Sequence, residues 1–122
     1  MKTRQLIAAF AFTFAAASAL AAGAPVKTMD GVLVGAKDMT LYTFDKDAGG
    51  KSMCNGPCAA NWPPLMAGAG DAATGDYSII TRDDGGKQWA LKGKPLYYWV
   101  KDTKAGDKTG DGVNNVWRVA RP

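Results

Sequence analysis

Two cysteines four positions apart are the residues of this chain best suited to chemistry. Cys54 and Cys58 lie in the segment SMCNGPCAANWPPL. One helical turn brings side chains four positions apart onto the same face, and Gly56 and Pro57 let the backbone tighten until the cysteine Cβ atoms reach bonding distance. In an oxidising compartment this pattern favours a disulfide, which would fix the turn that presents Trp62.

Two other chemistries stay open for the same cysteines. Sulfur ligands suit Cu(I), and Met53 and Met66 flank the pair, so a copper site built on Cys54, Cys58 and Met53 is one alternative. The chain has no His to complete such a site. The other alternative is a redox dithiol, although catalytic dithiols more often have two intervening residues. No cofactor is predicted, and copper is kept as the alternative.

Aromatic residues recur in two similar segments. The segment LYTFDKD at 41–47 matches LYYWVKD at 96–102, and the same offset of 55 positions brings Trp62 onto Trp117. Both halves share the pattern Leu-Tyr-x-aromatic-x-Lys-Asp, followed fifteen residues after the Asp by a Trp. The repeat predicts two structurally similar halves packed in one domain.

The repeated aromatic residues have two interpretations. Side chains alternate along a strand, so Tyr42 and Phe44 share one face of their strand, as Tyr97 and Trp99 share one face of theirs. We expect these four to pack in the core. The alternative is a platform for a flat ligand such as a sugar, quinone or porphyrin. Tyr98 points to the opposite face and is expected to be the exposed aromatic residue.

Each repeated segment ends in an aspartate, Asp47 or Asp102. We expect each carboxylate to cap the turn that follows its strand by accepting backbone N–H groups. The alternative is Ca²⁺, a hard ion that takes carboxylate and carbonyl oxygens, with Asp45, Asp107 and Asp111 as further donors. The spacing does not match the EF-hand loop, so the calcium signal is weak.

The composition argues against a hydrolase. All eleven acidic residues are Asp, no Glu or His is present, and fifteen residues are Gly. Asp and Gly favour turns, whereas Glu favours helices, so the chain is rich in turns and poor in helix. Without His or Glu, a Ser or Cys nucleophile lacks its usual base. An enzyme is therefore the minority interpretation.

The hydrophobic pattern predicts an all-β fold. Asp-Asp-Gly-Gly between two alternating runs is a strong hairpin signal, and a short helical turn is expected at 57–62, ended by Pro63 and Pro64. Residues 25–30 are expected to be a polar lead-in. The architecture predicted is a small antiparallel sheet or sandwich of two pseudo-repeated halves, with a short helical turn around the cysteines. Six strands are predicted, at 31–35, 40–45, 76–82, 87–92, 96–101 and 115–120.

The first residues are typical of a secretory leader. Lys2 and Arg4 precede an apolar run that ends in Ala-x-Ala, which predicts a signal peptide at 1–21 and a single all-β domain at 22–122. The run is shorter than the roughly 20 apolar residues of a membrane span, so no transmembrane segment is expected in the mature chain. Thirteen basic residues would remain against eleven acidic ones, a balance too slight for nucleic-acid binding. The mature protein is expected to be periplasmic or secreted.

These motifs together resemble a known family of bacterial exported proteins. They are similar to the secreted repeat family of unknown function, described as predicted lipoproteins with a conserved Tyr-x-(Phe/Trp/Tyr)-x-x-Asp motif. The resemblance implies export and architecture but no activity. This chain lacks a cysteine near the predicted cleavage site, which puts lipid anchoring in doubt. The matching motifs are Tyr42-x-Phe44-x-x-Asp47, Tyr97-x-Trp99-x-x-Asp102, Cys54-x-Gly-x-Cys58-Ala-x-x-Trp62-Pro63-Pro64-Leu65, the run GKPLY at 93–97 and Gly-x-Gly-Val-x-x-Val-Trp at 110–117.

The sequence therefore predicts an exported binding or structural module of the bacterial envelope, with an unidentified envelope partner or small ligand. One alternative is a periplasmic thiol-redox or copper-handling protein that uses Cys54 and Cys58. Another is a small-ligand carrier that uses the repeated aromatic residues.

Overall fold

The computed structural model describes residues 23–122, so the predicted signal peptide at 1–21 lies outside the described residues. Seven short strands, one short helix and two 3-10 turns make up the regular structure of this part, in agreement with the predicted all-β class. The strands are β1 (Lys27–Met29), β2 (Val32–Val34), β3 (Tyr42–Phe44), β4 (Tyr77–Thr81), β5 (Lys87–Leu91), β6 (Lys94–Pro95) and β7 (Trp117–Val119). The helix α1 is Pro57–Asn61, and the 3-10 turns are Ala36–Asp38 and Val113–Asn115.

The strands form three small antiparallel sheets. β1 pairs with β2, β4 and β5 form a hairpin extended by β6, and β3 pairs with β7. The last pairing joins the two ends of the fold, with Tyr42 opposite Val119 and Phe44 opposite Trp117. Tyr42 also exchanges two backbone hydrogen bonds with Tyr97, at 2.8 and 3.0 Å. The two repeated segments therefore meet side by side at their tyrosines.

The final segment of each half forms backbone hydrogen bonds with the other half. Leu33 N–H bonds to Ala120 O, Ala120 N–H to Leu41 O, and Leu41 N–H to Leu33 O, which closes a ring of three backbone bonds. Ala120 belongs to the second half, whereas the other two residues belong to the first. The halves are thus interlocked rather than merely adjacent.

In a second ring of backbone hydrogen bonds, the first half supplies one residue and the second half supplies two. Trp89 N–H bonds to Leu65 O, Leu65 N–H to Leu96 O, and Leu96 N–H to Trp89 O. Here Leu65 comes from the first half and the other two from the second. The side chains of all six ring residues are buried together in one hydrophobic cluster. The exchange of end segments therefore builds the apolar core directly.

Helix α1 follows the local sequence. Pro57 lies at its first position, where the missing N–H costs no hydrogen bond, and Gly56 before it has φ +56°, which glycine adopts without strain. Trp62 N–H bonds to Cys58 O at the C-terminal end, and Pro63 and Pro64 follow. The predicted helical turn is confirmed. No helix in the described part of the chain is long and apolar enough to cross a membrane.

Three local predictions were wrong. The predicted polar lead-in contains β1, whose residues are exposed and therefore gave no apolar signal. The predicted strand at 96–101 does not form: β6 ends at Pro95, and beyond it only two single bridges remain, both at Tyr97, because Trp99 O accepts the Asp102 N–H and turns the chain. Tyr98 is half-buried rather than exposed: its hydroxyl accepts the Ala36 N–H at 2.9 Å, and its ring packs on the second core cluster.

Candidate functional site

Four aromatic rings stack in a row at the junction of the two halves. Phe44 lies on Trp117 with ring centres 4.2 Å apart, Trp117 on Trp62 at 3.7 Å, and Trp62 on Trp99 at 4.0 Å. The rings come alternately from the first and the second half. The planes of Trp62 and Trp117 differ by only 3°. We call this row the four-ring stack, and it places the repeated aromatic residues at one site.

Two tyrosines close the sides of the four-ring stack. Tyr42 meets Trp62 edge to face at 5.3 Å, and Tyr97 meets Trp117 in the same way at 5.1 Å. Both tyrosines are fully buried, whereas Phe44 and Trp99 at the ends of the stack are half-buried. Face-to-face and edge-to-face contacts are the two favoured arrangements of aromatic rings, so the six rings form a rigid unit.

The two tyrosines and the two repeat aspartates are paired across the halves. Tyr42 Oη donates to Asp102 Oδ2 at 2.7 Å, and Tyr97 Oη donates to Asp47 Oδ2 at 2.6 Å. The Tyr of each repeated segment is thus bonded to the Asp of the other. This crossed pairing gives a physical role to the two residue types that recur at the ends of both segments.

Each aspartate also bonds to the loop that follows it. Asp47 Oδ1 accepts the Met53 N–H at 2.6 Å, and Asp102 Oδ1 accepts the N–H and hydroxyl of Thr109 at 3.0 and 2.6 Å. The carboxylates therefore hold both a local loop and a distant tyrosine. Within residues 23–122, no three acidic or cysteine side chains converge as a metal ion would require.

Burial shifts the titration of three of these groups. It raises the pKa of the Tyr42 and Tyr97 hydroxyls well above their ordinary value, and the hydrogen bonds to Asp102 and Asp47 raise each further. Burial also raises the pKa of the Asp47 carboxyl, although the bonds from Tyr97 and Met53 oppose that change. The tyrosines are therefore held as neutral hydrogen-bond donors.

A buried arginine lies next to one of the two crossed pairs, that of Tyr97 and Asp47. The Arg82 guanidinium donates to Ser52 Oγ at 3.0 Å, Gln88 Oε1 at 2.8 Å and the Cys54 carbonyl at 2.5 Å. Ser52 and Tyr97 hydroxyls lie 2.6 Å apart, and because Tyr97 donates to Asp47, Ser52 donates to Tyr97. Our sequence interpretation missed this network, since Arg82 ends a strand beside a polar turn and looks like a surface residue.

The structure joins Cys54 and Cys58 in a disulfide, with S–S 2.03 Å. Cys54 is fully buried, whereas Cys58 is half-buried. Met53 and Met66 are about half exposed, at 54% and 51%. Since both sulfurs are bonded to each other, neither is a thiolate ligand in this state.

An open groove of about 400 Å³ lies beside three rings of the four-ring stack. Its lining includes aromatic, amide, basic and disulfide groups. These are Phe44, Trp62 and Trp117 of the stack, Asn61 and Asn114, Lys46, and Cys58. The groove brings the sequence-predicted cysteine and aromatic sites together, whereas Trp99 and the two repeat aspartates do not line it. Asn61 and Asn114 carried no sequence signal of their own.

Comparison with known proteins gives one match. A family model described as a secreted repeat of unknown function matches residues 24–66 and 78–121. No curated protein and no solved structure matches the chain. The two matched segments correspond to the two interlocked halves, and Leu65 and Ala120, the residues exchanged between halves, lie near the end of each match.

Proposed function

Because the chain belongs to the secreted repeat family of unknown function, we propose that it is an exported binding module of the bacterial envelope whose ligand lies in the groove beside the four-ring stack. The leader at 1–21 would direct export, and the mature protein would act in the periplasm or outside the cell. The observation that carries the proposal is the convergence of aromatic edges, two amides and one lysine on a single groove.

The groove is rigid before any ligand arrives. Its floor is formed by Trp62 and Trp117, which are 4% and 2% exposed and held between other rings on both faces. A preformed site avoids much of the ordering cost that weakens binding by mobile side chains. The crossed tyrosine–aspartate pairs therefore serve the proposed site by fixing its floor.

The lining favours an acidic saccharide over a flat aromatic ligand. The faces of Trp62 and Trp117 are covered, so a quinone or porphyrin has no free indole face on which to stack. Aromatic edges can contact the C–H groups of a sugar, while the exposed amides of Asn61 and Asn114 can exchange hydrogen bonds with hydroxyl or acetamido groups. Lys46 can pair with a carboxylate on the ligand.

Titration of the mature protein with the disaccharide of N-acetylglucosamine and N-acetylmuramic acid tests the proposal. Tryptophan fluorescence and two-dimensional NMR should show saturable changes at groove residues below about 1 mM, the range of weak specific binding. Changes spread evenly over the surface, or none at Asn61 and Asn114, would overturn the saccharide proposal and favour a purely structural module.

The repeat offers a matched control for the charge. Lys101 occupies the position in the second half that Lys46 occupies in the first, and it is exposed but does not line the groove. Lys46→Glu should weaken binding of the disaccharide about tenfold or more, because it replaces attraction by repulsion at the ligand carboxylate. Lys101→Glu should leave the affinity unchanged. Equal effects of the two variants would contradict the assigned site.

A further inference from the structure

We propose that the Cys54–Cys58 disulfide is exchangeable, and that a thiolate of a partner protein attacks Cys58 Sγ from the groove. This activity does not depend on the saccharide proposed above, although both would use the same groove. The reactant is a protein dithiol of the envelope, and the product is its disulfide.

Access to the two sulfurs is unequal. Cys58 is half-buried and lines the groove, whereas Cys54 is fully buried behind it. Thiol–disulfide exchange requires a thiolate to reach one sulfur and displace the other. The geometry therefore assigns Cys58 as the sulfur attacked and Cys54 as the sulfur released.

The residue that carries the released sulfur is hydrogen-bonded through its carbonyl to a buried positive charge. Arg82 is 4% exposed and donates to the Cys54 carbonyl, and its ion pair with exposed Asp84 is long, at 4.0 Å. A nearby guanidinium favours the thiolate form of a cysteine, and a thiolate of lower basicity leaves faster. Arg82 would thus be a positioning and charge-stabilising residue for the exchange.

The second half positions its tryptophan in the stack without a disulfide. By the repeat offset, Thr109 and Val113 stand where Cys54 and Cys58 stand in the first half. Nevertheless Trp117 stacks as Trp62 does, and Thr109 holds its loop through Asp102. Since Trp117 takes its place in the stack without a disulfide in its own half, we expect Trp62 to stay stacked when the Cys54–Cys58 bond is reduced.

The exchange conserves atoms and electrons in two steps. The attacking thiolate forms a new S–S bond to Cys58 Sγ, the Cys54–Cys58 bond breaks, and the electron pair stays on Cys54 Sγ as thiolate. The second thiolate of the partner then attacks the partner sulfur of the mixed disulfide and releases Cys58. The partner dithiol is oxidised by two electrons to its disulfide and releases its two protons. The cysteine pair is reduced to the dithiol, because the Cys54 and Cys58 thiolates take up two protons. A disulfide of a second protein would reverse the process.

The test uses the whole oxidised chain and glutathione as the thiol probe. A short reaction is quenched with acid, and peptide mass spectrometry locates the glutathione adduct. We expect the adduct on Cys58, in about tenfold excess or more over Cys54. An adduct mainly on Cys54 would overturn the assigned direction of attack.

A cyclic peptide of residues 52–60 provides the rate reference. The folded protein should be reduced by glutathione at a rate within about tenfold of the peptide, because Cys58 faces the groove. Reduction about 100-fold slower than the peptide, or loss of the near-ultraviolet circular dichroism of the tryptophans on reduction, would mark a shielded structural disulfide and refute the proposal.

The role of Arg82 has its own readout. In the reduced protein, ultraviolet thiolate absorbance should appear at lower pH in the wild type and in Arg82→Lys than in Arg82→Met. A merely structural role for Arg82 would leave the thiolate titration unchanged while altering stability. The adduct position in the wild-type protein keeps the main proposal testable even if an Arg82 variant fails to fold.

Discussion

Replacing Tyr42 by Phe removes one hydroxyl that serves two buried groups. The hydroxyl donates to the carboxylate of Asp102, which is 8% exposed, and accepts the N–H of buried Gly110 at 3.1 Å. A hydrogen bond to a charged group contributes about 1.5–3 kcal/mol, and a buried donor left without a partner costs about 1–3 kcal/mol. We expect Tyr42→Phe to lower the free energy of unfolding by about 3–4 kcal/mol.

The equivalent change in the other half should cost less. Tyr97 donates to Asp47, which is half-buried, so water can replace part of the lost bond. It also accepts the Ser52 hydroxyl, but that hydroxyl can rotate, unlike the fixed Gly110 N–H that Tyr42 accepts. We expect Tyr97→Phe to cost about 1–2 kcal/mol. Tyr98→Phe is the control, because its hydroxyl accepts one exposed N–H and contacts no carboxylate. Its cost should be at most about 1 kcal/mol.

Urea unfolding followed by tryptophan fluorescence and far-ultraviolet circular dichroism measures these differences. A domain of this size has a total stability of about 5–15 kcal/mol, so the loss expected for Tyr42→Phe should displace the unfolding midpoint clearly. The thermal midpoint should fall by about 12–32 °C, since each kcal/mol shifts a domain of about 100 residues by about 4–8 °C.

Double-mutant cycles test the crossed pairing itself. Tyr42→Phe and Asp102→Asn should show a coupling of about 1–2 kcal/mol, because the two side chains share one hydrogen bond. Tyr42→Phe and Asp47→Asn lie in the same repeated segment but share no bond, so their effects should add to within about 0.5 kcal/mol. Stronger coupling within a segment than between segments would refute the interlocked arrangement.

Three further results are expected. In spectrophotometric titration, Tyr42 and Tyr97 should stay protonated until the fold is lost, because burial raises both pKa values. Their contribution to the free energy of unfolding is therefore complete below pH about 10 and falls as pH rises above it. Gly110→Ala should destabilise the fold by about 1–3 kcal/mol, since the new methyl would lie 2.8 Å from a ring of the four-ring stack. Gly70→Ala is the control: its methyl would meet nothing within 4 Å, so thermal unfolding should be unchanged. Asp47→Asn should lower the free energy of unfolding more at pH 3 than at pH 7 in urea unfolding. The Asp47 carboxyl has a raised pKa in the folded protein, so its contribution to stability is complete below pH about 4 and is lost as pH rises through that folded-state pKa. A loss of stability that does not depend on pH would contradict burial as the cause.

Local sequence pattern determined much of the fold. The alternation of apolar residues and the turn signals predicted the all-β class, the hairpin of β4 and β5, and the short helix that ends ahead of Pro63. These features depend on neighbouring residues only, since a strand alternates its faces and proline ends a helix wherever it occurs. The repeat likewise identified Trp62 and Trp117 as equivalent residues.

The partners of the repeated residues were decided only by tertiary structure. A Tyr–Asp pair within one half and a pair crossed between halves require the same residues at the same spacing, so the sequence does not distinguish them. The exchange of Leu65 and Ala120 between halves selects the crossed pairing, because it brings the two tyrosines side by side. Tyr98 was misplaced for the same reason: its neighbours come from a distant part of the chain.

For the cysteines too, sequence and tertiary structure determined different properties. Their spacing alone predicted that Cys54 and Cys58 could be joined, because four residues and a tightened turn suffice. The packing of β4, β5 and the four-ring stack around the turn places Cys58 at the groove. The same packing buries Arg82 against the carbonyl of Cys54. A charged residue is buried only when distant polar groups complete its hydrogen bonds, and those groups are brought together by the fold.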